Sequence, residues 1–519
     1  MAPPHRSPAP PPEHDNTPPP QRHVRIAIIG SGFSGLGMGV KLREAGETDF
    51  LIVERANDIG GTWRDNTYPG CACDVPSHLY SFSFAPNPDW PHTFSRQPHI
   101  RAYLEQVADR FGLRPHIATG TEVCQARWDT HEARWHVHTS HTTLTCDILI
   151  SAAGPLADPA LPDIPGLDTF PGALFHSARW NHDVDLTGKH VAVVGTGASA
   201  IQIVPAIQPH VGHLTLFQRT PAWVMPRADR PITSLERWLF RRVPLTQRLA
   251  RAGVYLGRES TVGAFTRHPR LLRAAETLAR LHLRRHVSDP HLRAKLTPDY
   301  VMGCKRILLS NDYYPALTQP NVDVVAAGLS EIRGDTAVAA DGTTRPVEAI
   351  IFGTGFHATD MPIAHRIVGA EGHSLAQAAH GSLQALRGTT VTGFPNLFLI
   401  IGPNTGLGHT SMIHIIESQL RYIIDALDHL NSSGATALHP SRHAQQAWNA
   451  DLQHKMDRTV WAQGGCASWY IDANGRNTTL WPGSTLRFRR ATRRLDPTEY
   501  QHLPPSPETP ATASEGSHA

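Results

Sequence analysis

Two stretches of the chain share one pattern of apolar and polar positions. VRIAIIG, Val24–Gly30, is an apolar run with no polar face, which predicts a strand buried on both sides in a parallel sheet. It runs into GSGFSG (Gly30–Gly35), a helical stretch through Leu42, and a second strand, FLIVE, that ends at Glu54. HVAVVG (His190–Gly195), GTGASA (Gly195–Ala200), a helix-like stretch and LTLFQR, ending at Arg219, repeat that order. Each is a βαβ unit. From about Pro231 to His291 the pattern becomes helical, rich in Leu and Arg, and divided by Pro244, Pro269 and Pro290. It reads either as a helical subdomain with arginines snorkelling on a solvated face or as a membrane-surface amphipathic segment; the proline divisions favour the former. EAIIFGTGF (Glu348–Phe356) and NLFLIIGPNTGLGHTSM (Asn396–Met412) then carry apolar runs into Gly turns. The amphipathic helix IHIIESQLRYIIDAL follows and lets the chain return to its first unit.

The expected fold is α/β, with two Rossmann-like dinucleotide-binding domains and a helical insertion in the second. The expected boundaries are a disordered Pro-rich arm over 1–22, the first domain over 23–157 and 387–495, and the second over 158–228 and 301–386. The helical subdomain takes 229–300, and a disordered tail 496–519.

Each Gly-rich turn follows a strand and opens a helix, the context a dinucleotide fingerprint needs. Gly30 permits the tight turn, Gly32 lets backbone approach a pyrophosphate, and Gly35 allows close helix–strand packing. The helix N-terminus offers N–H groups and a positive dipole end to phosphates. The two sites differ at the end of the second strand. Glu54, 19 residues past Gly35, suits the ribose hydroxyls of FAD or NAD. Gln218 and Arg219 stand at the matching place in the second site, and an arginine suits the 2′-phosphate of NADP unless it merely points to solvent. One dinucleotide at each site, one of them NADPH, implies a flavoprotein whose flavin takes a hydride.

Composition adds exclusions. The net charge of +3 is too small to argue for a nucleic-acid partner. No apolar run is long enough to span a membrane, and the N-terminus lacks the apolar core of a secretory signal. Six scattered cysteines show no metal spacing and no disulfide framework, so reduced thiols in a cytoplasmic protein are expected, with Cys71–Cys73 a weak redox-pair candidate.

FPGALFHSARWN (Phe170–Asn181) fits F-x-G-x-x-x-H-x-x-x-W through Phe170, Gly172, His176 and Trp180. This is the signature of type I (class B) flavin-dependent Baeyer–Villiger monooxygenases, which the chain resembles from about Arg25 to Arg490. Asn181 stands where the family commonly has Pro or Asp, and Ala200 and SAAG (Ser151–Gly154) are further mild departures. GGTWRDNTYPGCACD (Gly60–Asp74) looks like the segment that follows the FAD ribose carboxylate. GCKRILLSNDYYPAL (Gly303–Leu317) resembles the segment with the active-site arginine. GCASWYIDANGRNTTLWPG (Gly465–Gly483) resembles a mobile loop that closes over NADP.

The resemblance implies that NADPH reduces FAD, and that oxygen then forms a C4a-peroxyflavin that inserts one oxygen atom into a ketone. The products are an ester or lactone, NADP+ and water, with sulfoxidation as a side activity. It implies catalytic roles for Arg306, Asp74 and His176, the last more as a hinge contact than as a participant in the chemistry. FAD would be held by Gly30, Gly32, Phe33, Ser34, Gly35, Glu54, Arg55, Thr62, Trp63, Asp74, Tyr80 and Val123. NADP would be held by Gly195, Thr196, Gly197, Ala198, Ser199, Gln202, Arg219, Thr220, Lys305, Arg306 and Trp469, with a mobile loop near 463–483. Trp469 and Trp481 could instead be core aromatics. The expected partners are a small-molecule ketone and O2, with no nucleic acid, no integral membrane association and a monomer or weak homo-oligomer; no metal is expected. The alternatives are a flavin-containing N- or S-monooxygenase, a pyridine-nucleotide disulfide reductase or flavin electron carrier (Cys71 and Cys73, the one close pair, have the wrong spacing for the common reductase types), and a non-catalytic nucleotide-binding scaffold.

Overall fold

The computed structural model describes residues 22–503. The first apolar run forms β1 (Arg22–Ile29), buried throughout from Ile26 to Ile29. It leads into α1 (Phe33–Glu44) and back to β2 (Phe50–Val53), parallel to β1 with Ile26 opposite Phe50 and Ile29 opposite Val53. The turn between them needs glycine. Gly30 holds φ +100°, and a Cβ there would sit 2.8 Å from the Ala152 carbonyl oxygen. A Cβ on Gly35 would lie 1.9 Å from the Gly30 oxygen, so the first turn of α1 packs directly on the turn that launches it.

α2 (Thr62–Asp65) and α3 (Gln97–Arg110) precede β3 (Ile117–Ala118), β4 (Val123–Asp129), β5 (Arg134–Thr139) and β6 (Thr143–Ser151). The first sheet is ordered Ile367–Val368, β4, β5, β6, β1, β2, β3, with Leu397–Leu399 alongside β6. β7 (Ala173–His176), β8 (His190–Val194), α4 (Ala200–Ile207) and β9 (His213–Phe217) begin the second unit. Its five strands run Val322–Val325, β9, β8, Ala349–Phe352, β7, and all pair in parallel. Parallel sheets of this kind place their ligands beyond the carboxyl ends of the strands.

The insertion consists of α5 (Ser234–Arg242), α6 (Pro244–Glu259), α7 (Val262–Thr266), α8 (Leu272–His286) and α9 (Pro290–Lys295). Pro244 and Pro290 occupy first helical positions, where a missing N–H costs nothing.

Two expected boundaries change. The return to the first unit precedes residue 387, because Ile367–Val368 already pair with β4. The tail is ordered as far as Leu503: Tyr500–Leu503 pair antiparallel with Ala437–Pro440. Buried Tyr500 anchors this pair, its hydroxyl 2.9 Å from Thr390 Oγ1 and 2.6 Å from that of Tyr422. An aromatic seat, not the polar composition, decides the outcome there. The expected disorder of the arm and of the last residues lies outside the described residues, apart from Arg22, which begins β1.

Candidate active site

A cavity of about 970 Å³ lies beyond the carboxyl ends of β1 and β8 and is lined from both units. Every residue expected to hold a dinucleotide or to act in chemistry lies on its wall, except Gly35 and His176.

The first cradle is the β1–α1 turn. Gly32 caps α1 without a side-chain hydrogen bond, so the turn offers backbone alone. The Glu54 carboxylate accepts from the Ser31 N–H (2.9 Å), the Ser31 hydroxyl (2.7 Å) and the Ala56 N–H (3.0 Å). Arg64 adds an ion pair at 2.9 Å. Burial alone would raise the Glu54 pKa; the Arg64 charge and these hydrogen bonds outweigh it and hold the carboxyl below its usual range. Arg55 spans the crossing between units, donating to Asp158 (2.6 Å) and the Ala157 carbonyl (2.8 Å). Trp63 Nε1 donates to the Tyr80 hydroxyl at 3.0 Å.

The second cradle is the β8–α4 turn, tied to the end of β9 by the Thr196 hydroxyl, which donates to the Thr220 carbonyl at 2.8 Å. Gln218 is buried and donates to the Lys295 carbonyl at 2.8 Å, so Arg219 is the member of the pair that reaches the cavity. Lys305 stands close by, its ammonium 5.1 Å from the centre of the Tyr300 ring. Burial, then the like charge of Arg219, lowers the Lys305 pKa. Two cations side by side on the cavity wall are a ready anion site. Gln202 joins the units: its amide nitrogen donates to the Ala72 carbonyl (3.0 Å), and its amide oxygen accepts from the Tyr68 hydroxyl (3.1 Å).

Between the cradles Arg306 meets Asp74 in a bidentate pair, Nε to Oδ2 and Nη2 to Oδ1, both at 2.7 Å. The side chains are 33% and 21% exposed, and both line the cavity. Burial pushes the Asp74 pKa up, but the Arg306 charge and its two hydrogen bonds, then the more distant Arg258, bring it below the usual range. The Asp74 charge in turn raises Arg306, so the guanidinium stays charged at any working pH.

His176 is buried and off the cavity wall. Its Nδ1 accepts from the Ala178 N–H at 3.1 Å, and its ring lies edge-on to Phe356 at 5.5 Å. Burial brings its pKa down to about 4. Cys71 and Cys73 are free and buried; burial pushes the Cys71 thiol up to about 12 and Cys73 higher. Thiols held neutral in this way are poor redox nucleophiles.

Residues 23–245 match the family described as flavin-binding monooxygenase-like. A Baeyer–Villiger monooxygenase of Streptomyces coelicolor is 62% identical over 496 residues, 95% of this chain and 95% of its own length. The chain belongs to the Baeyer–Villiger monooxygenases. The crystal structure of cyclohexanone monooxygenase from Rhodococcus sp. Phi1 bound to NADP+ is similar, with a TM-score of 0.83, 27% identity, and coverage of 93% of this chain and 100% of that one. The structure of OTEMO in complex with FAD and NADP gives a TM-score of 0.84 at 25% identity, again with 93% and 100% covered.

Some features of this monooxygenase were not legible in its sequence. Arg64 pairs with Glu54 and with Asp65. Cys304 and Cys466 form a disulfide, against the expectation of reduced thiols throughout. They stand 162 positions apart, so no spacing rule links them. The bond joins the segment of Lys305 and Arg306 to the one that carries Trp469. The two expected lid tryptophans also separate. Trp469 is 47% exposed at the cavity, whereas Trp481 is buried between Trp448 and Phe488 as a core aromatic.

Proposed function

We propose that this enzyme takes FAD at the β1–α1 cradle and NADPH at the β8–α4 cradle, and converts a ketone into an ester or lactone with O2. The observation that carries the reading is the fixed cation between the cradles, Arg306 held by Asp74 on the cavity wall. Bound flavin supplies the capacity to accept a hydride and to activate oxygen. The chain's own residues supply the rest.

Ser31, Ala56 and Arg64 already occupy the acceptor directions of Glu54, so ribose hydroxyls there take the place of one of these donors. Arg219 and Lys305 pair with the 2′-phosphate of NADPH. Asp74 uses Nε and Nη2 of Arg306 and leaves Nη1 outside the pair. That donor stabilises negative charge as oxygen adds to the carbonyl, which a preorganised cation does without reorganising. Trp469, exposed at the cavity, would with the 463–483 segment cover the nicotinamide and exclude water. Gly35 supports the cradle by packing, and His176, packed on Phe356 off the cavity wall, acts by position and not on the substrate.

The test is product analysis. Purified enzyme with NADPH, O2 and a panel of cyclic, linear and aryl ketones should release esters or lactones, seen by mass spectrometry. Oxidation of amine or sulfide substrates with no ester from any ketone would instead assign the cavity to nitrogen or sulfur oxygenation.

A further inference from the structure

The first two helices of the insertion turn most of their leucines outward. α6 has a single buried residue, Gln247, and α5 has none. The face that α6 turns inward is largely polar, with Val254 and Tyr255 its apolar contacts to the core. Gln247 donates to the Asn87 carbonyl at 2.6 Å, and Arg251 to the carbonyls of His78 (2.6 Å) and Ser81 (2.8 Å). The Tyr255 hydroxyl meets Thr485 Oγ1 at 3.0 Å, and Glu259 accepts from the Thr485 N–H at 2.7 Å. Its apolar stripe, Leu245, Leu249, Ala252 and Leu256 at i, i+4, i+7 and i+11, points outward and is exposed. A helix on a water-soluble surface has the opposite arrangement.

The neighbouring helices also expose apolar side chains, although α8 buries Leu272, Ala279 and Leu283 on its other face and Phe240 of α5 packs on the core. Leu235 and Trp238 of α5 are exposed, and so are Leu278 and Leu281 of α8, with Leu271 just before it. Of fourteen exposed large apolar side chains among the described residues, nine lie between 235 and 281, each 44–66% exposed. Scattered exposed leucines need no explanation, but stripes concentrated on adjacent helices do. The sequence expectation of arginines on an ordinary solvated face accounts for the arginines and not for the leucines.

The charge identifies the occupant. Residues 234–295 hold fourteen Arg and Lys against four Asp and Glu, a net +10, whereas the whole chain is +3; the remainder is therefore −7. Arg242 continues the Leu235–Trp238 stripe, and Arg285 the Leu278–Leu281 stripe, at helical spacing. Leucine and tryptophan on one face with arginine along its edge is the composition of helices that lie in a membrane interface. A second copy of the chain docked by this face would set exposed arginines, among them Arg242, Arg248, Arg273 and Arg285, against their own copies. No helix among the described residues is long and apolar enough to cross a membrane, so attachment would be peripheral.

We propose that the α5–α6 hairpin, together with α8, docks this enzyme on an anionic phospholipid surface, with Leu235, Trp238, Leu245, Leu249 and Leu256 entering the interface. This inference is independent of the reaction.

Vesicle flotation tests it, using phosphatidylcholine vesicles with and without about one-third phosphatidylglycerol. The full-length protein should float with the anionic vesicles at least tenfold more than with neutral ones, and less as salt rises. The L245S/L249S/L256S variant should lose that binding at least tenfold and keep its circular dichroism and its NADPH oxidation. R242Q/R248Q should lose the preference for anionic vesicles while its fold is unchanged. The proposal is overturned if the wild type does not float at low salt, or if the leucine variant floats as well as the wild type. A dimer that the leucine variant converts to a monomer, without vesicle binding by the wild type, would assign the face to a second copy instead.

Discussion

Arg306 gives Asp74 both its Nε and its Nη2, so the carboxylate fixes the plane of the guanidinium and leaves Nη1 outside the pair. The two residues are 232 positions apart in sequence. In the proposed reaction this arrangement would separate two tasks: orientation for Asp74, and contact with developing negative charge for Arg306.

Removing the cation should therefore uncouple the enzyme. In Arg306→Ala, NADPH oxidation should continue with release of hydrogen peroxide, while ester formation falls by about a hundredfold or more, the usual cost of a lost oxyanion donor. Arg306→Lys should recover little, because a lysine cannot hold the two-point contact and still present a third donor. Parallel measurement of NADPH consumed and ester formed decides; equal losses in both would place Arg306 in cofactor reduction instead.

Asp74→Asn separates the two roles further. The guanidinium keeps its charge but loses its fixed orientation. Ester formation should fall less than in Arg306→Ala, and the KM for ketone should change little. Coupling efficiency, ester per NADPH, is the quantity to follow; full coupling in this variant would remove Asp74 from the positioning role.

Cofactor choice should rest on Arg219 and Lys305. Charge-assisted hydrogen bonds contribute about 1.5–3 kcal/mol each, which corresponds to roughly tenfold to a hundredfold in affinity. Arg219→Ala and Lys305→Ala should raise the KM for NADPH by that factor and leave the KM for NADH nearly unchanged. Steady-state kinetics with both nucleotides measures it, and equal effects on the two would mean that neither side chain reads the 2′-phosphate.

His176 makes a prediction about pH. Its pKa is about 4 in the folded protein, below the ordinary value of 6.5, because burial disfavours the charged ring. Between these values the unfolded chain binds a proton that the folded one does not, so stability rises with pH over that window. The contribution approaches about 1.4 kcal/mol per pH unit for each such group. His78 and His414, each also brought down to about 4 by burial, act in the same direction. The unfolding temperature should therefore fall from pH 6.5 towards 4, and His176→Gln should flatten part of that slope. An unchanged slope would mean that His176 is protonated in the folded state.

How much of this was legible depended on the range of the interaction. The two βαβ units were, because each strand's apolar run and each turn's glycines are local. Glu54 and Arg219 were, because a strand end fixes where its next side chain points. The orientation of α6 was not: periodicity reveals the Leu245–Leu249–Leu256 stripe but not which side the rest of the molecule occupies, and here hydrogen bonds from Gln247 and Arg251 took the inner side. The strand Tyr500–Leu503 was hidden in a polar tail because its anchor is one buried tyrosine. Arg64 was hidden because its partner Glu54 is on another element.

The disulfide was the least legible feature, and it makes the last prediction. Cys304 immediately precedes Lys305 and Arg306, while Cys466 stands three residues before Trp469. The bond therefore tethers the segment proposed to cover the nicotinamide to the segment of Lys305 and Arg306, the proposed phosphate and oxyanion contacts. Gly464 packs so closely on Cys304 that a Cβ would meet the Cys304 Cβ at 2.5 Å, so the tether also sets how the chain enters that segment. Closing a loop this long restricts the unfolded chain by up to about 5 kcal/mol in the chain-entropy account. Cys466→Ser, or treatment with reductant, should lower the unfolding temperature and raise the KM for NADPH, because Trp469 must then be ordered at each binding event. The Cys71→Ser and Cys73→Ser variants should leave both quantities' response to reductant unchanged. Wild-type unfolding and NADPH kinetics that are identical with and without reductant would show that the tether bears on neither stability nor cofactor binding.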